Sequence, residues 1–306
     1  MQPSRTSSSA FHPRYWPHWL LVGVLRALAW LPLSAQRGLG RQLGRLSHRL
    51  LKRRREITRI NLSLCFPDKA PDEIDALVRA HFVSVGIGFF ETLSAWWKPS
   101  RVLAPRLKVE GLEHLEAAKR EGGVILLTGH FTTLELAARA LCEAGVTFHA
   151  MYRRHNDPVF ERVMQALRSR HSGRPALQRE QLRPLIRALR QGEAIWYGPD
   201  QALPQGTLFV DFFGVPTPTL SATSKLAEYG RARVVPFYPR REGRNLVVRI
   251  EPAWENFPSD DVAKDARRVN AALEEGVRMA LPDYFWIHRR FKIRPPGLPP
   301  VYPKRR

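Results

Sequence analysis

Two apolar patterns alternate along the chain. Short uninterrupted runs, Val124–Leu127, Ala194–Tyr197 and Val234–Tyr238, are bounded by glycine, proline or charge. Runs of that length suit strands buried on both faces of a parallel sheet. Longer stretches carry apolar residues at helical spacing: Pro71–Trp97, with Ile74, Val78, Phe82, Val85 and Phe89; Phe160–Arg170; and Leu182–Gln191, which Gly192 stops. Thr133–Leu141 is rich in good helix formers. Strands separated by helices predict an α/β fold whose central sheet is mostly parallel and flanked by helices.

The amino-terminal part follows a different rule. Tyr15–Leu33 is mostly apolar and long enough to cross a bilayer, which predicts a membrane-anchor helix. Arg26 lies near its middle, at a cost of about 2.5 to 3.5 kcal/mol that the surrounding leucines offset. Behind it, Leu39, Leu43, Leu46 and Leu50 share one helical face, with Arg37, Arg41, Arg45 and Lys52 roughly opposite, as in a helix lying on a membrane surface. Gly38, Gly40 and Gly44 weaken that helix. With Arg53, Arg54 and Arg55 added, the positive charge places the bulk of the chain on the cytoplasmic side. The expected organisation is a disordered polar terminus over 1–14, a membrane anchor over 15–35, a basic amphipathic surface segment over 36–60, and one α/β domain over 61–306.

Charge narrows the partners. The formal net charge is +21 and the pI about 11, more than solubility needs, so an acidic partner is implied: nucleic acid, an anionic membrane, a phosphorylated lipid or an acidic protein. No helix-turn-helix, RNP or zinc pattern supports nucleic acid. Cys65 and Cys142 form no C-x-x-C pair and no H-E-x-x-H is present, so no metal and no cofactor is expected.

Candidate chemistry centres on the run VILLTGHFTTLE, Val124–Glu135. His130 falls where a strand hands over to a helix, the ligand-binding edge of an open α/β sheet. On one helix a five-residue offset turns through roughly 140°, so His130 meets Glu135 only if the histidine sits on the turn and the glutamate in the first helical turn. There the imidazole can take a proton from a hydroxyl while the carboxylate fixes its tautomer. Thr132 and Glu135 also fit a helix capping box, in which the glutamate satisfies a backbone N–H. Asp200 ends the Ala194–Tyr197 run as His130 ends its own, either positioning an arginine or the acceptor or forming a buried structural ion pair. No G-x-S-x-G elbow of a serine esterase is present.

Six blocks in one order carry a resemblance: HPRYWPHWL (His12–Leu20), NLSLCFP (Asn61–Pro67), GHFTTLELAAR (Gly129–Arg139), MYRRHNDP (Met151–Pro158), WYGPDQ (Trp196–Gln201) and WIHRRFKIRP (Trp286–Pro295). Together they resemble the late acyltransferases of lipid A assembly, closest to the lauroyl-transferring Kdo-lipid IV(A) branch. The resemblance implies a glycerolipid acyltransferase-like fold and an inner-membrane enzyme. It would move a fatty acyl group, laurate or a palmitoleoyl or myristoyl relative, from acyl carrier protein to a hydroxyl on an acyl chain of Kdo-lipid IV(A). It implies His130 and Glu135 as the catalytic pair. Asp200, Arg168 (with Arg170 as the alternative), Arg153, Arg289 and Arg290 are the supporting or substrate-binding positions. Two departures, Ala202–Gln205 in place of a tyrosine and glycine, and Arg154 in place of a proline, bear on the acyl chain and acceptor position.

Overall fold

The structure, a computed structural model, describes residues 9–201 and 207–303. The helices α1 (Trp16–Ala29), α2 (Leu33–Leu50), α3 (Lys52–Cys65), α4 (Pro71–Trp97) and the short α5 (Ser100–Leu103) precede the first strand. Then follow β1 (Leu107–Glu110), α6 (Leu112–Glu121), β2 (Gly123–Leu127), α7 (Leu134–Glu143), β3 (His149–Tyr152), α8 (Pro158–Ser172), β4 (Leu177–Gln178), α9 (Leu182–Arg190) and β5 (Ala194–Tyr197). A hairpin, β6 (Thr207–Phe212) and β7 (Val215–Leu220), leads to α10 (Ala222–Gly230), β8 (Ala232–Glu242), β9 (Asn245–Ile250) and α11 (Val262–Met279).

Among the described residues, seven strands form one sheet in the order β1-β9-β8-β2-β5-β3-β4. Neighbours from β8 to β4 are parallel, β9 runs antiparallel to β8, and β1 is parallel to β9. The apolar runs of the sequence are its centre, with every residue of β2 and β5 buried. Alternate side chains feed two cores. Val124 and Leu126 join Leu115 of α6 and Ala137 of α7, while Ile125 and Leu127 join Leu185 of α9, Leu226 of α10 and Val277 of α11.

At the amino-terminal end the apolar run expected to be one anchor helix is divided in two. The apolar run does not form one helix: α1 stops at Ala29, and Pro32 starts a new direction into α2. Fourteen residues of α-helix rise roughly 21 Å, short of the hydrocarbon core of about 30 Å. Among the described residues the helix long and apolar enough to cross a membrane is α4, and half of that window is buried. What α1 and α2 leave exposed is a set of large apolar side chains: Trp16, Leu20, Val24 and Trp30, then Leu39, Leu43, Leu46 and Leu50.

The glycines of α2 also act otherwise than expected. A Cβ on Gly40 would lie 2.8 Å from the carbonyl oxygen of Gly86, and one on Gly44 would collide with the Phe82 carbonyl, so these glycines let α2 and α4 pack backbone against backbone. The gain in packing exceeds the weakened helix propensity. Residues 9–14, expected to be disordered, hold two 3₁₀ turns pinned by the Trp19 indole N–H on the Ala10 carbonyl at 2.9 Å and by Phe11 stacked on Trp19. Residues 1–8 and the Ala202–Gln205 departure lie outside the described residues.

The carboxyl-terminal block is tied back to the sheet edge. The Phe285 N–H donates to the His130 carbonyl at 2.9 Å and the Thr132 N–H to the Asp283 carbonyl at 2.7 Å. Asn61, in the NLSLCFP block, donates its amide to the Trp286 and His288 carbonyls at 2.7 and 2.8 Å. Blocks far apart in sequence thus meet at the end of β2.

Candidate active site

The sheet register builds the centre. Leu127 of β2 lies opposite Tyr197 of β5, and three residues beyond each stand His130 and Asp200. Two parallel neighbours leaving the sheet at the same level must bring these side chains to one edge. The His130 backbone N–H donates to one oxygen of Asp200 at 2.8 Å, and the imidazole Nδ1 meets the other in a short hydrogen bond. An ionised carboxylate only accepts, so Nδ1 carries the proton, and the neutral ring in this tautomer has its lone pair on Nε2.

Two glycines make room for this contact. A Cβ on Gly198 would stand 2.9 Å from the Trp196 indole and 3.0 Å from the imidazole, so only glycine lets the ring lie against β5. A Cβ on Gly129 would be 3.2 Å from the Tyr284 ring and 3.4 Å from the Asp200 carboxylate. Trp196 meets the imidazole edge-on at 5.8 Å.

Asp200 is 3% exposed. Burial pushes its carboxyl up, but the facing imidazole, Arg290 and the His130 N–H more than offset this and hold it well below the usual carboxylate range. Arg290, itself buried, donates to the Asp200 carbonyl at 2.7 Å and lies over the Phe212 ring. Tyr284 also faces the carboxylate; burial and that charge raise its phenol well above the ordinary value, so it stays neutral.

Glu135 is not the partner of the imidazole, and this corrects the sequence expectation for the pair. It stands in the first turn of α7, as predicted, but accepts from the Trp96 indole N–H at 2.9 Å and from Arg168, whose Nε is 3.0 Å away. Burial raises its carboxyl, and Arg168 with Trp96 more than offset it, so the pKa is lowered. Nor does it cap α7, whose N-cap residue Thr133 makes no side-chain capping bond. The physical reason is register: Asp200 reaches the Nδ1 side of the ring first, while Arg168 of α8 lies across from α7.

A cavity of about 630 Å³ joins these groups. His130, Glu135 and Arg168 line it together with Trp96, Phe148, Leu167 and Leu226, and that size and mixture suit a ligand with a long apolar part. Arg153 lines the same cavity and is exposed. Arg170, two residues beyond Arg168 on α8, is exposed and outside it, because a two-residue step turns a helix through about 200°. Arg289 is also outside, stacked over Tyr302 at 4.9 Å. A second, small hollow borders His130 on the side of Asn61, Gln201, Trp286 and His288. Sequence reading missed Trp96, Tyr284 and Gly198. Gly198 stood inside a quoted block, whereas Trp96 carried only the signal of ending a very apolar helix.

The profile described as bacterial lipid A biosynthesis acyltransferase matches residues 4–293. The chain is 39% identical over 303 residues to the lipid A biosynthesis lauroyltransferase of Escherichia coli strain K12, covering 97% of this chain and 98% of that protein. It is 35% identical to the lipid A biosynthesis palmitoleoyltransferase of the same organism, over 97% of each. Among solved structures, the 1-acyl-sn-glycerophosphate acyltransferase of Thermotoga maritima aligns with a TM-score of 0.38 at 16% identity, over 79% of this chain and 96% of that one.

Proposed function

We propose a reaction from the premise that the chain belongs to the bacterial lipid A biosynthesis acyltransferase family: transfer of a fatty acyl group from acyl carrier protein to a hydroxyl on an acyl chain of a Kdo-lipid IV(A)-type precursor. The observation that carries the chemistry is the imidazole held by Asp200 at the edge of a large cavity. Its Nε2 takes the proton of the acceptor hydroxyl as the oxygen attacks the thioester carbonyl. The new C–O bond forms, the C–S bond breaks, and the same proton passes from the imidazolium to the leaving thiolate. Asp200 orients the ring and stabilises its charged form.

Glu135 serves this chemistry at one remove. It fixes Arg168 in the cavity wall by two of the guanidinium nitrogens, leaving the third without a hydrogen bond among the described residues. Aimed at the thioester oxygen, that donor would steady the tetrahedral oxyanion. The apolar part of the cavity takes the acyl chain, and exposed Arg153 meets acidic groups of donor or acceptor.

Acyl carrier protein is supported as donor by the net charge of +21. An inner-membrane location is supported by the exposed apolar side chains of α1 and α2, which would sink into one leaflet with both helices lying in its plane. The chain is similar to lauroyl- and palmitoleoyl-transferring enzymes alike; laurate is the reading that the higher identity favours. The test is turnover of purified protein on a series of acyl-carrier thioesters, with and without the lipid A precursor. Precursor-dependent consumption, greatest with lauroyl, is expected. Consumption without precursor, or none with any thioester, would overturn the reading.

A further inference from the structure

A second cavity, of about 360 Å³, lies on the far side of α4 and α7 from the imidazole. It shares no lining residue with the first: Glu135 faces one and Leu136 the other. Ile87 and Phe90 of α4, Leu103 of α5 and Leu136 of α7 make an apolar floor. Arg37 from α2, Arg106 before β1 and Arg244 at the β8–β9 turn converge on it from three elements.

Those three arginines have no direct partner among the described residues. None forms an ion pair or hydrogen bond among the described residues, and the Arg37 Nε is buried without any partner. The acid in the lining, Glu91, is already engaged by Arg241, with hydrogen bonds of 3.1, 3.0 and 2.7 Å. Gln36 and Ser94, which also border the space, satisfy each other at 2.6 Å. Burial lowers the Arg37 pKa; Glu91 opposes this, and Arg241, Arg41 and Arg244 add to it. A buried guanidinium donor without a partner carries a desolvation cost that an anion would remove.

We propose that this cavity binds an amphiphile with a phosphate headgroup, the phosphate clasped by Arg37, Arg106 and Arg244 and the alkyl chain lying on Ile87, Phe90 and Leu103. Pro32, Leu33 and Ser34, where α1 turns into α2, line the cavity, and the same two helices carry exposed apolar side chains, which suits a ligand drawn from a lipid layer. The proposal goes beyond the acyl-transfer reading and needs neither His130 nor turnover.

The experiment is photolabelling of the purified full chain with dodecyl phosphate carrying a diazirine in its tail, and peptide mapping of the adduct. Label is expected within residues 87–107 and 136, separate from any label in the His130 cavity. The triple variant Arg37→Gln, Arg106→Gln, Arg244→Gln should lose that label roughly tenfold or more, since each charge-assisted contact is worth that order. Thermal melting checks its fold, and Arg244→Gln alone, an exposed change, keeps the test open if the triple variant does not fold. Equal labelling by the matching diazirine dodecanol would overturn the anionic headgroup. Displacement by inorganic phosphate as effective as by dodecyl phosphate would overturn the lipid tail, and label confined to the His130 cavity would overturn the site.

Discussion

Two carboxylates stand within reach of one imidazole by sequence or by strand register, the buried Asp200 and the partly buried Glu135, and they do different work. Asp200 reaches His130 from the neighbouring strand, whereas Glu135, only five residues along the chain, turns to Arg168 and Trp96. Sequence proximity favoured the glutamate; the parallel register of β2 with β5 favoured the aspartate. Adjacent strands that end level form a fixed edge, while a residue on the first helical turn can be rotated toward whatever the next helix presents.

The sharpest way to break this contrast is Asp200→Asn, which keeps the shape and removes the charge that supports an imidazolium. The rate should fall by roughly 10³-fold or more, and the melting temperature at neutral pH should drop because the depressed carboxyl contributes stability there, with unfolding still cooperative. Single-turnover kinetics with acyl-carrier thioester would measure it, and an Asn variant near wild-type turnover would break the His130–Asp200 assignment.

Gly198→Ala tests the same contact from the other side. A methyl 3.0 Å from the imidazole must push the ring off Asp200, and a displacement of that kind costs roughly 10²-fold in rate. The acyl donor should bind as before, so the loss should appear in kcat rather than KM.

Glu135→Gln should cost less in rate, roughly tenfold, and more in stability. It leaves the partly buried Arg168 without its counter-charge, a change worth about 3 kcal/mol when a buried pair is broken. Arg168→Gln added to it should restore much of the melting temperature but not the rate. Combined with Asp200→Asn, it should depress the rate further; a double variant no slower than Asp200→Asn alone would mean that Glu135 acts through the imidazole after all.

The smallest effect is in pH. Both carboxylates are held below their ordinary range, so each contributes stability that is complete at neutral pH and is lost only as the pH falls below about 4. His81 behaves in another window: buried, with its ring pushed down to about 4, it contributes fully above about 6.5 and progressively less below it. Unfolding free energies from urea titrations between pH 8 and pH 3 should therefore begin to decline near 6.5, by up to about 1.4 kcal/mol per pH unit for one group. Asp200→Asn should flatten only the acid end of that curve.

Much of the fold was legible because buried strands and amphipathic helices have different periods. Pro71–Trp97 was read as a helix and is one over that whole range, and Ala194–Tyr197 and Val124–Leu127 lie in adjacent central strands. Where the amino-terminal run breaks was not legible, because hydropathy reports composition and not continuity. Pro32 divides it into two helices, and Gly40 and Gly44, which lower helix propensity, are kept for a close approach to α4 that one segment cannot reveal.

The residue types of the site were likewise written in the chain: an imidazole after a buried strand, an acid ending another, arginines in basic blocks. From these alone the chain also carried its family, since ordered blocks over nearly its whole length are improbable by accident. Which acid holds the imidazole, which of Arg168 and Arg170 enters the cavity, and that Arg290 is buried while Arg289 is not were decided by tertiary structure alone. Partner choice depends on strand register and helix rotation, and a side chain's nearest neighbour in space is set by elements tens of residues away.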